Sequence, residues 1–172
     1  MIRKAKAEDL MAVAQIYEDI LTEEEAGRAQ IGWIRDVYPT ADTAREAFER
    51  GELFVDEENG SVVAAGKING EQMPAYAQVD WEYSAGENEV MVLHTLVVSP
   101  AKAGEGIGTR FVKFYENYAL EHGCPYLRID TNEKNVTARR MYKKLGYKER
   151  GIIPCVFNGI EGVHLVCLEK KV

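Results

Sequence analysis

The sequence predicts an α/β fold, a mixed β-sheet with helices on its faces. Segments with helical and strand periodicity alternate along the chain, and a β-rich run over 89–98 is apolar on both faces. A strand of that kind is expected where both sides of a sheet are covered. Because no repeat, low-complexity tract or linker divides the 172 residues, we interpret 1–172 as a single domain.

The first half of the chain is predicted to contain two helices and a hairpin. Apolar residues at helical spacing predict a helix over 8–21, and an acidic, polar loop is expected over 22–27. Capping and turn residues predict a helix over 43–50 and strands over 53–56 and 62–68, followed by an irregular segment over 70–88. Thr43 and Glu46 have the spacing of a capping box at a helix start. Asn59 and Gly60 favour a tight turn between the two strands.

The second half alternates strands and helices more regularly. The predicted elements are strands over 89–98, 126–131, 147–153 and 163–169, and helices over 107–123 and 135–145. Ser99 and Pro100 stop the first of these strands, while Gly123 and Gly146 can end the two helices. The order is that of a sheet whose strands are connected partly by helices.

Composition excludes several functional classes. The chain has 21 Lys and Arg against 28 Asp and Glu, a net charge of −7, which argues against a nucleic-acid or anionic-membrane binder. No apolar run approaches the ~18 residues of a membrane span, and the charged start lacks a signal-peptide stretch. Cys124, Cys155 and Cys167 are widely spaced, without metal-ligand spacing. We therefore expect a cytoplasmic protein with reduced thiols and no metal.

A glycine-containing loop connects the strand over 89–98 to the next helix. Small residues and a helix N-terminus favour a phosphate group there, because several amides and the helix dipole act together. The candidate residues are Gly104, Glu105, Gly106, Ile107, Gly108 and Thr109. The loop fits neither the P-loop, since no Lys-Ser/Thr follows, nor the dinucleotide fingerprint, in which the third glycine stands one position later. Alternatively, the glycines only tighten a turn.

Three motifs that occur in a particular order along the chain favour phosphate binding over a simple turn. They are Val97-Val98-Ser99-Pro100, Gly106-Ile107-Gly108 and Asn135-x-x-Ala138-x-x-x-Tyr142-x-x-Leu145-Gly146-Tyr147. This combination resembles the GCN5-related N-acetyltransferase family, most clearly over 89–150. The resemblance implies a mostly antiparallel mixed sheet with helices on both faces, and acetyl-CoA as the acetyl donor.

The catalytic strand offers a candidate base. The run His94-Thr-Leu-Val-Val98 is similar to the arylalkylamine N-acetyltransferase branch, which implies that His94 helps to deprotonate the amine, although Val92 replaces that branch's second histidine. Strand alternation would place His94 on one face with Leu96 and Val98. A packed core histidine is the alternative. Carboxylates acting through water are competing bases, namely Asp80, Glu82 and Glu89.

The resemblance also implies the remaining roles. Main-chain groups of Leu96, Val97 and Val98 would bind the pantetheine arm and the developing oxyanion, on a strand that splays from its neighbour. Tyr142 would protonate the departing thiolate, unless it is only a core residue on one face of its helix. Asn135 would cap that helix and contact the cofactor arm.

One position departs from the family pattern. Ala103 stands where the family usually has Gln or Arg at the start of its loop. We expect weakened rather than abolished cofactor binding, because main-chain amides make most of the phosphate contacts, and Lys102 is a candidate substitute.

The acceptor is less well defined. Acidic and aromatic side chains in the regions that usually bind it would suit a cationic amine, namely Glu23, Glu24, Glu25, Trp33, Tyr38, Tyr76, Trp81 and Tyr83. We expect a small-molecule amine and a monomer or homodimer. The alternatives are a protein or peptide N-acetyltransferase and a non-catalytic acyl-CoA-binding module.

Overall fold

The computed structural model describes all 172 residues and contains one seven-stranded sheet with four α-helices. The strands are β1 Ile2–Lys4, β2 Leu53–Glu58, β3 Ser61–Asn69, β4 Val90–Val98, β5 Tyr126–Asn132, β6 Lys148–Phe157 and β7 Ile160–Lys171. The helices are α1 Leu10–Glu25, α2 Ala41–Glu49, α3 Ile107–Glu121 and α4 Val136–Lys144. None of these helices is both long and apolar enough to cross a bilayer.

The sheet is mixed and mostly antiparallel, as predicted. Its strand order is β1-β2-β3-β4-β5-β7-β6, and only the neighbours β4 and β5 run parallel. α3 makes the crossover between these two strands. The helices lie on both faces, because α1 and α2 pack around Val55 and Val97, whereas α3 and α4 pack around Phe54 and Leu93.

The segment over 70–89 crosses one face of the sheet and contains only short 3₁₀ turns. A buried ion pair of 3.2 Å between Arg128 on β5 and Glu169 on β7 holds it there. Glu169 also accepts hydrogen bonds from the amides of Glu82 and Tyr83. The Arg128 guanidinium lies 4.0 Å from the ring centroid of Trp81. These contacts hold the predicted irregular segment against β5 and β7.

The ends of two helices differ from the sequence prediction. α1 runs to Glu25, so the residues after 21 do not loop out, and Arg35 pairs with both Glu18 and Glu25 along its last turns. Glutamates are good helix formers, so an acidic composition does not end a helix. The N-cap of α2 is Thr40, whose amide donates to the Thr43 hydroxyl at 3.0 Å.

Two Asn-Gly turns set the hairpins. Asn59 and Gly60 have φ of 51° and 79°, which confirms the predicted tight turn between β2 and β3. Asn158 and Gly159 have φ of 47° and 84° and make a second turn of the same kind. β6 and β7 therefore extend up to this turn, several residues beyond the predicted strand ends.

A β-bulge interrupts the pairing of β3 with β4. Lys67 pairs with His94 and Ala65 pairs with Val97, so one residue of β3 opposes two of β4, and Thr95 has φ of 50°. The bulge reverses the alternation of side chains along β4.

Because of this reversal, the prediction that His94 shares a strand face with Leu96 and Val98 is wrong. Leu96 and Val98 pack into the same cluster as Leu93. Adjacent residues of a strand point to opposite faces, so His94 points away from Leu93. His94 therefore does not share a face with Leu96 and Val98.

Candidate active site

β4 and β5 separate partway along their length. Their parallel pairing runs from Val90 opposite Tyr126 to Leu93 opposite Ile129 and then stops. Beyond that point β4 follows β3 and β5 follows β7. A cavity of about 430 Å³ opens between the diverging strands, and we call it the splay cavity.

The predicted pantetheine-binding residues lie at this opening. Leu96, Val97 and Val98 line the splay cavity. Their strand is paired with β3 on one side, but it has no partner strand on the side of β5. An unpaired strand edge offers main-chain donors and acceptors to an extended ligand.

The glycine loop presents free amides at the N-terminus of α3. The amides of Gly104, Gly106, Ile107, Gly108 and Thr109 donate to no main-chain acceptor, whereas the Glu105 amide donates to the Lys102 carbonyl at 3.4 Å. Gly104 and Gly106 have φ of 84° and 79° and open space beside their Cα atoms. The loop thus has the room and the donors for a pyrophosphate.

Gly108 has a different role. A Cβ at this position would lie 3.0 Å from the sulfur of Met141, so its small size lets α3 approach α4 closely.

The charges beside the loop are already paired. The Lys102 ammonium lies 3.1 Å from a Glu105 oxygen and 3.7 Å from a Glu58 oxygen. Ala103 lines the splay cavity without a polar group. Because these two carboxylates hold the Lys102 ammonium, this side chain does not take the place of the missing Gln or Arg side chain.

α4 contributes Asn135 and Tyr142 to the cavity wall. The Asn135 side chain accepts a hydrogen bond of 3.1 Å from the amide of Ala138, which confirms its capping role. Tyr142 is buried, its hydroxyl makes no hydrogen bond within the protein, and burial raises its pKa well above the usual value. Tyr142 therefore presents a protonated phenol to the cavity.

Asp130 is a site residue that the sequence analysis missed. It follows the last β4–β5 pair by one residue, lines the splay cavity and accepts a hydrogen bond of 2.6 Å from the Tyr76 hydroxyl. Burial raises the pKa of Asp130 to about 6, and the Tyr76 hydrogen bond opposes that rise. The alternating polar residues Arg128, Asp130 and Asn132 in an otherwise apolar strand were a usable signal.

His94 lies outside the residues that line the cavity. Its Nε2 is 2.9 Å from Oδ1 of Asn69, and that oxygen also accepts from the Glu71 amide, so Nε2 carries the proton. Burial, followed by the charge of Lys67, lowers the pKa of His94 to about 4.

The three acidic alternatives also lie outside the cavity lining. The Glu89 carboxylate accepts a hydrogen bond from the Gly86 amide, and the Glu82 carboxylate pairs with Lys148. The main-chain carbonyl of Asp80 accepts a hydrogen bond from Arg150. None of them is placed beside Tyr142 or the splay of β4 and β5.

Three aromatic rings form one part of the cavity wall. Trp33 meets Tyr38 edge-on at 5.9 Å between centroids, and Tyr38 meets Phe157 at 5.5 Å. The Tyr38 hydroxyl bonds to the hydroxyl of Thr95, the bulge residue. Of the predicted acceptor residues, Glu23, Trp33 and Tyr38 line the cavity.

The other predicted acceptor residues have different contacts. Tyr76 and Trp81 lie behind Asp130, with 5.2 Å between their ring centroids. Glu24 holds the amides of Ile31 and Gly32, Glu25 pairs with Arg35, and Tyr83 packs on Tyr126. None of these predicted acceptor residues lines the cavity.

The fold and the site together define an acyltransferase. Free amides at a helix N-terminus lie beside an open strand edge, and a phenol and a carboxylate face the same cavity. One part of the site suits a phosphorylated acyl carrier, and the remainder suits an acceptor.

The family follows from the comparison with known proteins. The model of the acetyltransferase (GNAT) family matches residues 13–147, so the chain belongs to this family. An uncharacterized N-acetyltransferase of Methanocaldococcus jannaschii is 28% identical over 171 residues, which are 99% of this chain and 92% of the relative. The expected enzyme class, an acetyl-CoA-dependent N-acetyltransferase, is confirmed, whereas the arylalkylamine branch stays a prediction.

Solved structures share the fold. A GNAT-family acetyltransferase from Streptococcus agalactiae superposes with a TM-score of 0.83 at 22% identity, covering 100% of this chain and 95% of that one. The protein yncA from Salmonella typhimurium, described with its cofactor acetyl-CoA, gives a TM-score of 0.71 at 19% identity, with coverages of 99% and 92%.

Proposed function

We propose that the protein transfers the acetyl group of acetyl-CoA to the primary amine of a small molecule by direct attack in a ternary complex. The proposal rests on one observation: the open edge of β4, the Tyr142 phenol and the Asp130 carboxylate all border a single cavity. The acetyl-CoA described with the Salmonella neighbour supports this donor. Acetyl-CoA would supply an activated thioester.

The residues of this chain fit such a donor. The free amides over 104–109 would hold the pyrophosphate. The open edge over 96–98 would bind the pantetheine arm, and Asn135 on the opposite wall would add a polar contact. The edge over 96–98, Ala103 at the start of the loop, Asn135 and Tyr142 all line the splay cavity.

We assign the base to Asp130. An alkyl ammonium titrates near ~10, so it must lose a proton before it attacks. Asp130 is largely ionised at neutral pH, lines the cavity, and would first pair with the ammonium and then accept its proton. His94 is the competing assignment. Its lower pKa and its position outside the cavity lining favour Asp130.

We assign the acid to Tyr142. Its raised pKa keeps the hydroxyl protonated at neutral pH, and no protein group competes for that proton. The phenol would donate the proton to the departing sulfur.

The segment over 28–33, which follows α1 and lines the cavity, favours a small acceptor over a peptide. Glu24 fixes the amides of Ile31 and Gly32 at 2.6 and 2.9 Å. A side chain at Gly32 would collide with the Asn132 amide on β5, so this segment closely approaches the opposite wall. A peptide acceptor would require an open groove here.

Thiol release from acetyl-CoA tests the proposal with small amines, a lysine-containing peptide and no acceptor. We expect release with small amines, and loss of that release in Asp130→Asn while CoA affinity is retained. Release with the peptide alone would indicate a protein acetyltransferase. CoA binding without release by any acceptor would indicate a non-catalytic module.

A further inference from the structure

We infer that the acceptor is a compact monoamine with an apolar body and no carboxylate. This inference rests on the proposed function, because it concerns the acceptor end of the same splay cavity. It depends on the charges, the walls and the volume of that cavity.

The charges leave one carboxylate free for a cation. The charged residues that line the cavity are Glu23, Arg28 and Asp130. Arg28 is the only cation, and its Nε and Nη2 atoms each lie 2.8 Å from a Glu23 oxygen. Asp130 is bonded only to the neutral Tyr76 hydroxyl. The cavity therefore has one uncompensated negative group.

No cation from neighbouring elements faces Asp130. Besides burial, the Asp130 charge raises the pKa of tyrosines and cysteines from five parts of the fold, namely Tyr38, Tyr76, Tyr142, Cys155 and Cys167. All of these side chains are neutral at physiological pH, since burial raises the pKa of each. An ammonium group is the partner that this carboxylate lacks.

The walls around this carboxylate are mainly apolar. The rings of Trp33, Tyr38 and Phe157 form a continuous edge-to-face series, with Val163 and Leu165 of β7 beside them. Aromatic faces also attract cations, which adds to the effect of Asp130. An apolar acceptor body would remove these surfaces from water.

The same features disfavour other amines. An acceptor carboxylate would meet no free cation and would be repelled by Asp130, and burying an unpaired charge is costly. A second ammonium would also lack a partner. Ligand pockets commonly hold ~300–1,000 Å³. This cavity has about 430 Å³ and also admits the donor's acyl end, so it limits the acceptor's size.

Three matched pairs test the inference. Phenethylamine against phenylalanine, and isoamylamine against leucine, differ by a carboxylate. Hexylamine against 1,6-diaminohexane differs by a second amine. Calorimetry on CoA-saturated protein measures binding without turnover, and thiol release from acetyl-CoA gives kcat/KM. We expect each monoamine to exceed its partner by about tenfold or more in both measurements.

Three variants, one of them a control, locate the effect. Phe157→Ala should weaken monoamine binding, whereas Val156→Ala, at a neighbouring side chain that is 66% exposed, should not. Asp130→Asn should weaken every amine and reduce the preference for phenethylamine over phenylalanine.

The outcomes separate the two proposals. Equal or better binding and turnover of amino acids or diamines would overturn the inference and leave the proposed function standing. Selective monoamine binding without acetylation of any amine would overturn the proposed function and support the acceptor-site assignment.

Discussion

The hydroxyl of Tyr76 donates a hydrogen bond of 2.6 Å to Oδ2 of Asp130, across the gap between the 70–89 segment and β5. Trp81 packs edge-on against Tyr76 and donates from its indole to the Tyr76 carbonyl at 3.0 Å. Arg128 covers the other side of Trp81 and pairs with Glu169. The segment therefore fixes the position of the candidate base.

Tyr76→Phe should shift the acidic limb of the kcat/KM profile upward. The variant loses a hydrogen bond that stabilises the ionised carboxylate, so the pKa of Asp130 rises above about 6. The rate loss should therefore be largest at low pH and mostly recovered above pH 8. NMR titration of the Asp130 carboxyl would detect the shift without using activity. Tyr83→Phe is the matched control, and the same shift there would contradict the assignment.

The pH profile of the unmodified enzyme distinguishes the two candidate bases. If Asp130 accepts the proton, kcat/KM should fall as the pH decreases through about 6, because the protonated carboxyl cannot act. With His94 as base, the fall would come near pH 4. Circular dichroism at each pH would separate unfolding from titration.

His94→Gln completes that comparison. Glutamine can still donate to Asn69, so the β3–β4 contact can persist. We expect kcat/KM within a few-fold of the original and an unchanged limb near pH 6. A large loss that high pH recovers would return the role to His94.

Tyr142→Phe should retain the fold and lose rate. General acid catalysis commonly contributes ~10²–10⁴-fold, so turnover should fall within that range when chemistry is limiting. The loss should shrink with a thioester that has a better leaving group. Tyr147→Phe is the control, since its ring packs 5.9 Å from that of Tyr142 but does not line the cavity. A fully active Tyr142→Phe enzyme would exclude the acid role.

Gly106→Val should weaken CoA binding by at least about tenfold, because a branched residue resists the left-handed conformation that orients the loop amides. The structure leaves open space at the Cβ position, so backbone conformation and occlusion of the ligand would act, not a clash within the protein. Gly123→Val has a similar φ of 74° at the far end of α3 and controls for strain alone. Equal calorimetric affinity in a folded Gly106→Val variant would contradict the placement.

Lys102→Ala should weaken CoA binding about two- to fivefold at low salt, the range of an exposed charge interaction. Removing this cation leaves Glu105 uncompensated beside the free amides. Glu105→Gln should restore much of the loss when combined with Lys102→Ala. High salt should reduce all these differences, and a salt-independent effect would refute the electrostatic explanation.

The sequence predicted most of the architecture because it depends on local patterns. Periodicity, capping residues and turn residues together located all four helices and six strands, and Asn59-Gly60 located a turn. β1 has only three residues, too few to show a period. The predicted ends of β6 and β7 stopped short because the turn at Asn158-Gly159 was not recognised.

The site was less predictable because it depends on pairing between strands. The bulge at Thr95 requires β3 as a partner, and it places Leu96 and Val98 on the face opposite to His94. Asp130 gains its raised pKa only when the folded sheet, with β7 paired to β5, buries its carboxylate. The loop and Tyr142, in contrast, belong to contiguous motifs that can be recognised without the fold.

The position of β7 affects the order of assembly during synthesis. β7 lies between β5 and β6 in the sheet, although it follows both in the chain. While a ribosome has delivered only residues up to 157, β6 has no neighbour and Arg128 lacks its Glu169 partner. The cavity-lining residues Val163 and Leu165 are also missing then. The nascent chain therefore contains the whole glycine loop before it contains the part of the splay cavity that β7 supplies.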